Sequence, residues 1–384
     1  MYYRKRTIAK HLIRLADQYP ILTLTGPRQS GKSTVSRHIF IQHAYVNLED
    51  LEMRQYALTD PKGFLSQYPN GALIDEIQYA PDLLSYIQIR VDADRKPGQF
   101  ILTGSQQFSL MAGVSQSLAG RTALATLLPY SCEELADDLP PDVESMMLNG
   151  FYPRLYEDHL NPTEYASFYL RTYVERDVRQ LLNVQDLTQF ERFLKFCAGR
   201  SGQMVNVSAL ANDSGLSVKT IRKWLSVLES SYIIALLTPF HKNINKRLVK
   251  TPKLYFLDTG LLCYLLGITT VDQLAQHPLR GSIFETMVVS ECLKQRYHQV
   301  QEPGFSYYRD QQYEVDLISQ MGAKTHAIEI KAGKTFSADF LKALHHYQTH
   351  DPDCIRQTLV YAGDLARQFK GVRVLPFRNI QQIF

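Results

Sequence analysis

Eight consecutive residues, Gly26-Pro27-Arg28-Gln29-Ser30-Gly31-Lys32-Ser33, have the composition of a loop that closes around phosphate. The two glycines let backbone N–H groups approach phosphate oxygens with no Cβ in the way. A strand rich in Ile, Leu and Thr (21–25) feeds the loop, and a helix starting near Lys32 leaves it, bringing partial positive charge to the phosphates. Lys32 is expected to reach the β- and γ-phosphates. The Ser33 hydroxyl is expected to ligate magnesium, with Thr34 completing the nucleotide contacts of residues 26–34. Downstream, Ala72-Leu73-Ile74 leads into Asp75 and Glu76. Asp75 is the expected magnesium partner, and Glu76 the group that orients an attacking water, which favours hydrolysis over transfer to another acceptor. The strand Phe100–Thr103 runs into Gly104-Ser105, which makes Thr103 or Ser105 a candidate γ-phosphate sensor; a plain turn residue accounts for either equally well. Arg121, in Leu118-Ala119-Gly120-Arg121, is a candidate γ-phosphate arginine or an ordinary surface arginine.

A second set of chemistry-bearing residues lies near the other end of the chain. Tyr313-Glu314-Val315-Asp316-Leu317-Ile318 and Ala327-Ile328-Glu329-Ile330-Lys331 read as two strands with Gly322 in the turn between them. Side chains alternate along a strand, so Glu329 and Lys331 share one face, and the hairpin sets Asp316 beside it. Two carboxylates and a lysine converging there have the makings of a divalent-metal site that activates water for phosphodiester hydrolysis. The bland alternative is a solvated Glu-x-Lys face. These residues resemble the PD-(D/E)XK nuclease superfamily, which implies Glu285, on the preceding helix, as a fourth acid, and Mg²⁺ or Mn²⁺ at Glu285, Asp316 and Glu329. Val315 stands where that family often has proline. Arg309, Lys324 and Lys334 are candidates to offset the acids' repulsion of a phosphate backbone.

Between the two sets, 207–213 and 217–230 read as helices around a turn at Ser214-Gly215-Leu216, followed by a strand-like run, 232–237. Val218, Ile221, Trp224, Leu225 and Leu228 fall at helical core spacing, with Lys219, Arg222 and Lys223 on the other side. Lys242, Lys246, Arg247, Lys250 and Lys253 follow, and no acid occurs from residue 230 to residue 257. The order resembles a winged helix, with the basic residues expected to meet DNA phosphates. A protein-binding module with a solvated charged face remains the alternative.

The elements that must position these residues come in blocks. Strands at 21–25, 44–48, 72–75 and 100–103, each a crossover apart, predict an α/β parallel sheet. The pattern turns helical after Pro129, most clearly over 163–182, where Tyr165, Phe168, Tyr169, Tyr173 and Val174 share a side. Strands and helices mix again from residue 254. The expected division is an ATPase core over 1–130, a helical lid over 131–202, a winged-helix-like unit over 203–253 and a nuclease-like α/β domain over 254–384. A 384-residue chain, 45% hydrophobic and 21% charged, is neither disordered nor fibrous. No run approaches the ~20 apolar residues of a membrane span. Five scattered cysteines and no export pattern predict a cytoplasmic protein, and a net charge of +4 does not by itself name a partner.

Taken in order, Gly-Pro-Arg-Gln-Ser-Gly-Lys-Ser, Leu-Ile-Asp-Glu-Ile-Gln, Leu-Thr-Gly-Ser-Gln, Leu-Ala-Gly-Arg, Glu-Val-Asp and Ile-Glu-Ile-Lys resemble, over essentially the full length, a prokaryotic family of AAA+-type ATPases with a C-terminal domain of unknown function 4143. The resemblance implies an AAA+-like core with a helical lid, a winged helix and a restriction-endonuclease-like end. It also implies ATP and Mg²⁺ as cofactors and an oligomeric ring as one possible assembly. Three functions stay open at this point: ATP-driven DNA processing with cleavage, a nucleotide-dependent DNA- or protein-binding switch whose nuclease-like domain is inactive, and, against the evidence of Glu76, a small-molecule kinase.

Overall fold

Ile21–Thr25 (β1) is buried along its whole length, as a central strand covered on both faces must be. It pairs in parallel with Phe100–Thr103 (β4) on one side and with Thr122–Thr126 (β5) on the other. Ala72–Asp75 (β3) and Ala44–Asn47 (β2) continue the sheet beyond β4, so the strand order is β2-β3-β4-β1-β5, all parallel. The alternation of side chains divides the core. Ile21, Ile74, Phe100 and Leu102 pack with Leu84, Ile87 and Phe64, whereas Leu22, Leu24, Leu73 and Ile101 pack with Leu12, Val35 and Ala125. Burying each such side chain contributes roughly 1.5–3 kcal/mol before entropy is counted. The short strand β5, Thr-Ala-Leu-Ala-Thr, carries too few large apolar residues to stand out in the sequence and joins the four expected strands.

The structure, a computed structural model, describes residues 3–105, 118–174, 187–241 and 251–384. The chain divides into two units. The first comprises the sheet region through Tyr130 together with Ser230–Tyr232 and Arg296–Glu302, and the second contains everything else.

The second unit begins with short helices, including Val143–Asn149 and Pro162–Tyr173. In the latter Tyr165, Tyr169, Tyr173 and the following Val174 are buried, but Phe168 is 63% exposed and does not join their side. The rest of the expected 163–182 helix runs into residues outside those described. Helices Val207–Ser214 and Val218–Ser230 flank Gly215, whose φ of 71° ends the first helix in the left-handed region. Ile221, Trp224, Leu225 and Leu228 are buried, with Trp224 edge-on to Phe190 at 5.0 Å and to Phe193 at 5.3 Å. Val218, at the first turn, is 40% exposed and is not core. These helices fall between the first and second strands of a three-stranded sheet in which Lys253–Phe256 (β8) pairs antiparallel with both Gln203–Met204 (β6) and Ile234–Leu237 (β7).

A six-stranded sheet of order β13-β14-β12-β11-β10-β9 completes the unit. Its strands are Phe305–Arg309 (β9), Glu314–Met321 (β10), Lys324–Lys331 (β11), Cys354–Tyr361 (β12), Arg367–Phe369 (β13) and Val372–Pro376 (β14). β10 and β11 form the expected hairpin, turning at Gly322 with φ 64°. The register of β10 against β9 shifts between Val315 and Ile318, the stretch that carries Asp316. Helix Lys342–His350 covers one face through Leu344 and Tyr347.

Candidate functional site

Since β4 lies between β1 and β3, the carboxyl ends of three adjacent strands bring the phosphate loop, Thr103 and Asp75 to one edge of the sheet. That edge is where open parallel sheets bind ligands. Gly26 has φ 145°, and a Cβ there would meet the Leu127 carbonyl at 2.1 Å, so the loop's first residue must be glycine. Gly31 caps helix Lys32–Ile39 with φ 92° and no side-chain hydrogen bond, which leaves the helix's first N–H groups facing the loop. Pro27 and Ser30 are buried, Arg28 and Ser33 half-buried, Gln29 and Thr34 exposed. The Lys32 ammonium donates to the carbonyls of Gly26 at 3.0 Å and Pro27 at 2.7 Å, folded onto its own loop.

Asp75 is 3% exposed. Its carboxylate accepts from Thr103 Oγ1, from the Tyr45 hydroxyl at 2.9 Å and from the Glu76 N–H at 3.2 Å. Burial, followed by the Asp75 charge, holds the Tyr45 phenol well above its ordinary value, so Tyr45 stays a donor. Glu76 adopts the left-handed region, φ 56°, and its carboxylate accepts from Gln78 Nε2 and from Ser105 Oγ at 3.3 Å. Of the two sensor candidates, Thr103 thus holds Asp75 and Ser105 holds Glu76. Positive-φ glycines, a lysine on the loop and a buried aspartate with oriented donors fit a magnesium nucleotide: Gly26–Thr34 would hold the phosphates, Ser33 and Asp75 the metal.

Three residues of this unit carry no sequence signal. Arg6, 3% exposed, donates to the carbonyls of Ser30 and Leu128, each at 2.7 Å, and lies 4.9 Å from the Tyr130 ring. Tyr45 is an unremarked strand residue, and the Tyr232 hydroxyl lies 2.7 Å from Thr25 Oγ1, across 207 positions of sequence. Arg121 is no γ-phosphate arginine of its own site. It forms a two-pronged ion pair with Asp92, Nε to Oδ1 at 2.6 Å and Nη2 to Oδ2 at 2.8 Å. Its carbonyl accepts from Ile21 N–H, at the amino end of β1. A five-residue strand, ~16 Å long, separates that end from the loop.

In the second unit the C-terminal acids converge and are buried, which removes the solvated-face alternative for Glu329, 2% exposed. Asp316 Oδ2 accepts from Ile330 N–H at 2.8 Å, Lys331 pairs with Glu329, and Glu285 Oε1 accepts from the Tyr255 hydroxyl at 2.6 Å. Burial first, then the Asp316 charge, pushes Glu285 and Glu329 above the usual carboxylate range. Lys253, expected on a phosphate-binding ribbon, is instead buried among these acids. Its ammonium lies 2.5 Å from Glu314, 3.1 Å from Glu285 and 3.9 Å from Asp316. Burial works to lower the Lys253 pKa, but Glu285, Asp316 and Glu314 outweigh it and hold the lysine charged. Lys242, Lys246, Arg247 and Lys250 lie outside the described residues. Lys334 pairs with Glu144 at 3.3 Å, and Lys324 sits at the turn end of the hairpin, paired with Met321, so neither offsets the cluster. Arg309 does, 3.5 Å from Glu314. Among the described residues no group of three or more His, Cys, Asp or Glu is arranged to hold a metal ion. The acids are partnered by ammonium and guanidinium groups, so this donor set does not fit a divalent metal as it stands.

All five cysteines are buried free thiols, and no described helix is long and apolar enough to cross a membrane.

The loop, the buried Asp75 and the parallel sheet define a P-loop ATPase domain, and residues 18–136 match the AAA domain model. Residues 140–272 match a domain of unknown function, DUF8612, and residues 280–380 match another, DUF4143. The chain belongs to the same family as two uncharacterized mycobacterial proteins, Rv2008c of Mycobacterium tuberculosis and Mb2031c of Mycobacterium bovis. Each is 30% identical over 371 residues, spanning 95% of this chain and 81% of the relative. Among solved structures, the Walker-type ATPase PABY2304 of Pyrococcus abyssi is similar at 16% identity, over 69% of this chain and 96% of that one, with a TM-score of 0.47.

Proposed function

We propose that this chain hydrolyses ATP at residues 26–34, Asp75 and Glu76 and uses the turnover as a switch on bound DNA. The observation that carries the hydrolytic half is the convergence of the loop, Thr103 and Asp75 at the ends of three neighbouring strands, with Asp75 held by Thr103 and Tyr45. Lys32 exchanges the Gly26 and Pro27 carbonyls for the β- and γ-phosphates. Ser33 and Asp75 would hold magnesium, which would supply positive charge against that building on the phosphates. Glu76 leaves Ser105 and Gln78 to orient the attacking water, the role of a positioned carboxylate in phosphoryl transfer. The DNA half rests on Lys219, Arg222 and Lys223, all exposed on the side of their helix opposite Ile221 and Trp224. A basic face of this kind supplies salt-dependent phosphate contacts. Convergence of Glu285, Asp316, Glu329 and Lys331 favours a second reading, metal-dependent cleavage. The switch is preferred because Lys253 already pairs with Glu285 and Asp316, and Lys331 with Glu329.

ATP turnover and duplex-DNA anisotropy at low salt, measured on wild type, Lys32→Ala, Glu76→Gln and Lys219→Ala/Arg222→Ala/Lys223→Ala, test both halves. Turnover should vanish in the first two variants and DNA affinity in the third. Wild type that hydrolyses ATP but binds no DNA at low salt would leave a protein-binding switch. Cleavage with Mg²⁺ or Mn²⁺ that Asp316→Ala abolishes would establish the second reading.

A further inference from the structure

Lys253 belongs to the three-stranded sheet, where it is paired with Met204 on one side and Leu237 on the other. Its side chain leaves that sheet to end among three acids drawn from two other elements: Glu285 from helix Arg280–His298, and Glu314 and Asp316 from β10. The side chain is 3% exposed, and its ammonium contacts Glu314 Oε1 at 2.5 Å, Glu285 Oε1 at 3.1 Å and Asp316 Oδ1 at 3.9 Å. The other groups around the cluster are also engaged, apart from Glu329 Oε2, which is buried without a hydrogen-bond partner. Tyr255 donates to the same Glu285 oxygen, Ile330 N–H to Asp316 Oδ2 and Lys331 to Glu329, and Arg309 forms an ion pair with Glu314 at 3.5 Å. Each of the four acids, Glu285, Glu314, Asp316 and Glu329, therefore has a cationic partner from the chain itself.

We infer that Lys253 is a built-in counter-ion standing where a divalent metal would have to sit, so that the cluster takes no catalytic metal and this domain holds its ligand without cutting it. A divalent ion needs several oxygens at ~2.0–2.6 Å. Glu285 Oε1, Glu314 Oε1 and Asp316 Oδ1 already face the Lys253 ammonium, whose side chain is 3% exposed. Two like charges sharing that buried space repel far more strongly than they would in water. Expelling Lys253 instead would leave it buried and unpaired, or would break the contacts of β8. The inference goes beyond the ATP-driven switch. It stands whether or not DNA is the ligand, because its test reads metal binding rather than turnover or DNA affinity.

The test is Mn²⁺ binding to the full chain without nucleotide, followed by electron paramagnetic resonance and by the melting temperature. Wild type and Asp316→Asn are expected to bind Mn²⁺ alike, with no Asp316-dependent rise in melting temperature. Lys253→Met, which keeps the stem and removes the charge, is expected to gain Mn²⁺ affinity by roughly tenfold or more. Lys253→Met/Asp316→Asn should lose that gain. Mn²⁺ bound by wild type and abolished by Asp316→Asn or Glu329→Gln would overturn the inference. So would a cooperatively folded Lys253→Met that binds no more Mn²⁺ than wild type. Should Lys253→Met fail to fold, the comparison of wild type with Asp316→Asn carries the test alone.

Discussion

Arg6 donates a 2.7 Å hydrogen bond to the carbonyl of Ser30, inside the phosphate loop, while a second arm of the same guanidinium reaches the Leu128 carbonyl beyond β5. A buried side chain near the start of the chain thus fixes the loop's backbone to the end of the sheet. The arrangement gives one buried donor group to the Ser30 carbonyl of the loop and to the Leu128 carbonyl after β5.

Arg6→Met should strand both carbonyls while keeping most of the side-chain volume. The expected loss is about 2–4 kcal/mol, the cost of two buried acceptors left unpaired. Calorimetry of the full chain should register it as a fall of several degrees in the first transition. Equilibrium titration with a fluorescent ATP analogue should show weaker binding, because the loop no longer has a fixed path. A variant that melts and binds ATP like wild type would remove Arg6 from this role.

Thr103 supplies the hydrogen bond that aims the Asp75 carboxylate, and it is fully buried. Thr103→Val preserves the shape and removes the donor, whereas Thr103→Ser keeps the donor. ATPase activity titrated with Mg²⁺ should require more metal in Thr103→Val and fall by roughly tenfold at fixed metal, about 1.4 kcal/mol. Thr103→Ser should restore most of it, and nucleotide binding without Mg²⁺ should change in neither. Equal losses in both variants would point to packing rather than to the hydroxyl.

The residues of the phosphate loop were legible because their chemistry is local: contiguous glycines, a lysine and a hydroxyl between one strand and one helix. Asp75 and Thr103 were legible for a related reason, since each closes an apolar run whose period marks a buried strand. Arg6 and Tyr232 were not, because each acts through folding that brings distant segments together, 24 and 207 positions away. Lys253 was misread for the opposite reason. The run without acids from residue 230 to residue 257 made it one more basic ribbon residue, and nothing local reveals that its counter-ions arrive from Glu285, Glu314 and Asp316. Charge patterns along a chain report exposed faces well. They say nothing about which lysine the fold will bury.

Tyr232 places its hydroxyl against Thr25 Oγ1 at 2.7 Å, on the last residue of β1 before the loop. The ring is 5% exposed and its backbone is in the left-handed region, φ 59°. Tyr232→Phe deletes only the hydroxyl and should cost about 1 kcal/mol, the net worth of one such bond. Thr25→Val in the same background should cost less than it does alone, since the Tyr232 bond is already gone and only the 3.3 Å contacts of Thr25 Oγ1 with Ala125 O and Thr126 Oγ1 remain to lose. A double-mutant cycle by chemical denaturation measures this directly, and strict additivity of the two changes would sever the link.

Glu144 offers a pH test in the second unit. Its buried carboxylate accepts from Arg280 Nη2 at 2.7 Å and Nε at 3.0 Å, and Lys334 lies 3.3 Å away. Burial pushes its pKa upward, but the Arg280 hydrogen bonds, its backbone bond and the neighbouring charges pull harder, so the folded value lies below the ordinary 4.5. The unfolded chain therefore takes up the proton first. The stability this pair contributes is complete above about pH 4.5 and is lost as pH falls through the depressed folded value. Glu144→Gln should lower stability near neutrality by about 2–4 kcal/mol, because Arg280 is left largely buried without its counter-charge. As pH falls toward about 3 the difference from wild type should shrink, since the proton then does to wild type what the substitution does permanently. Melting temperatures of both proteins across that range give the answer. Two curves that stay parallel would mean that the Glu144–Arg280 pair does not set the acid limb.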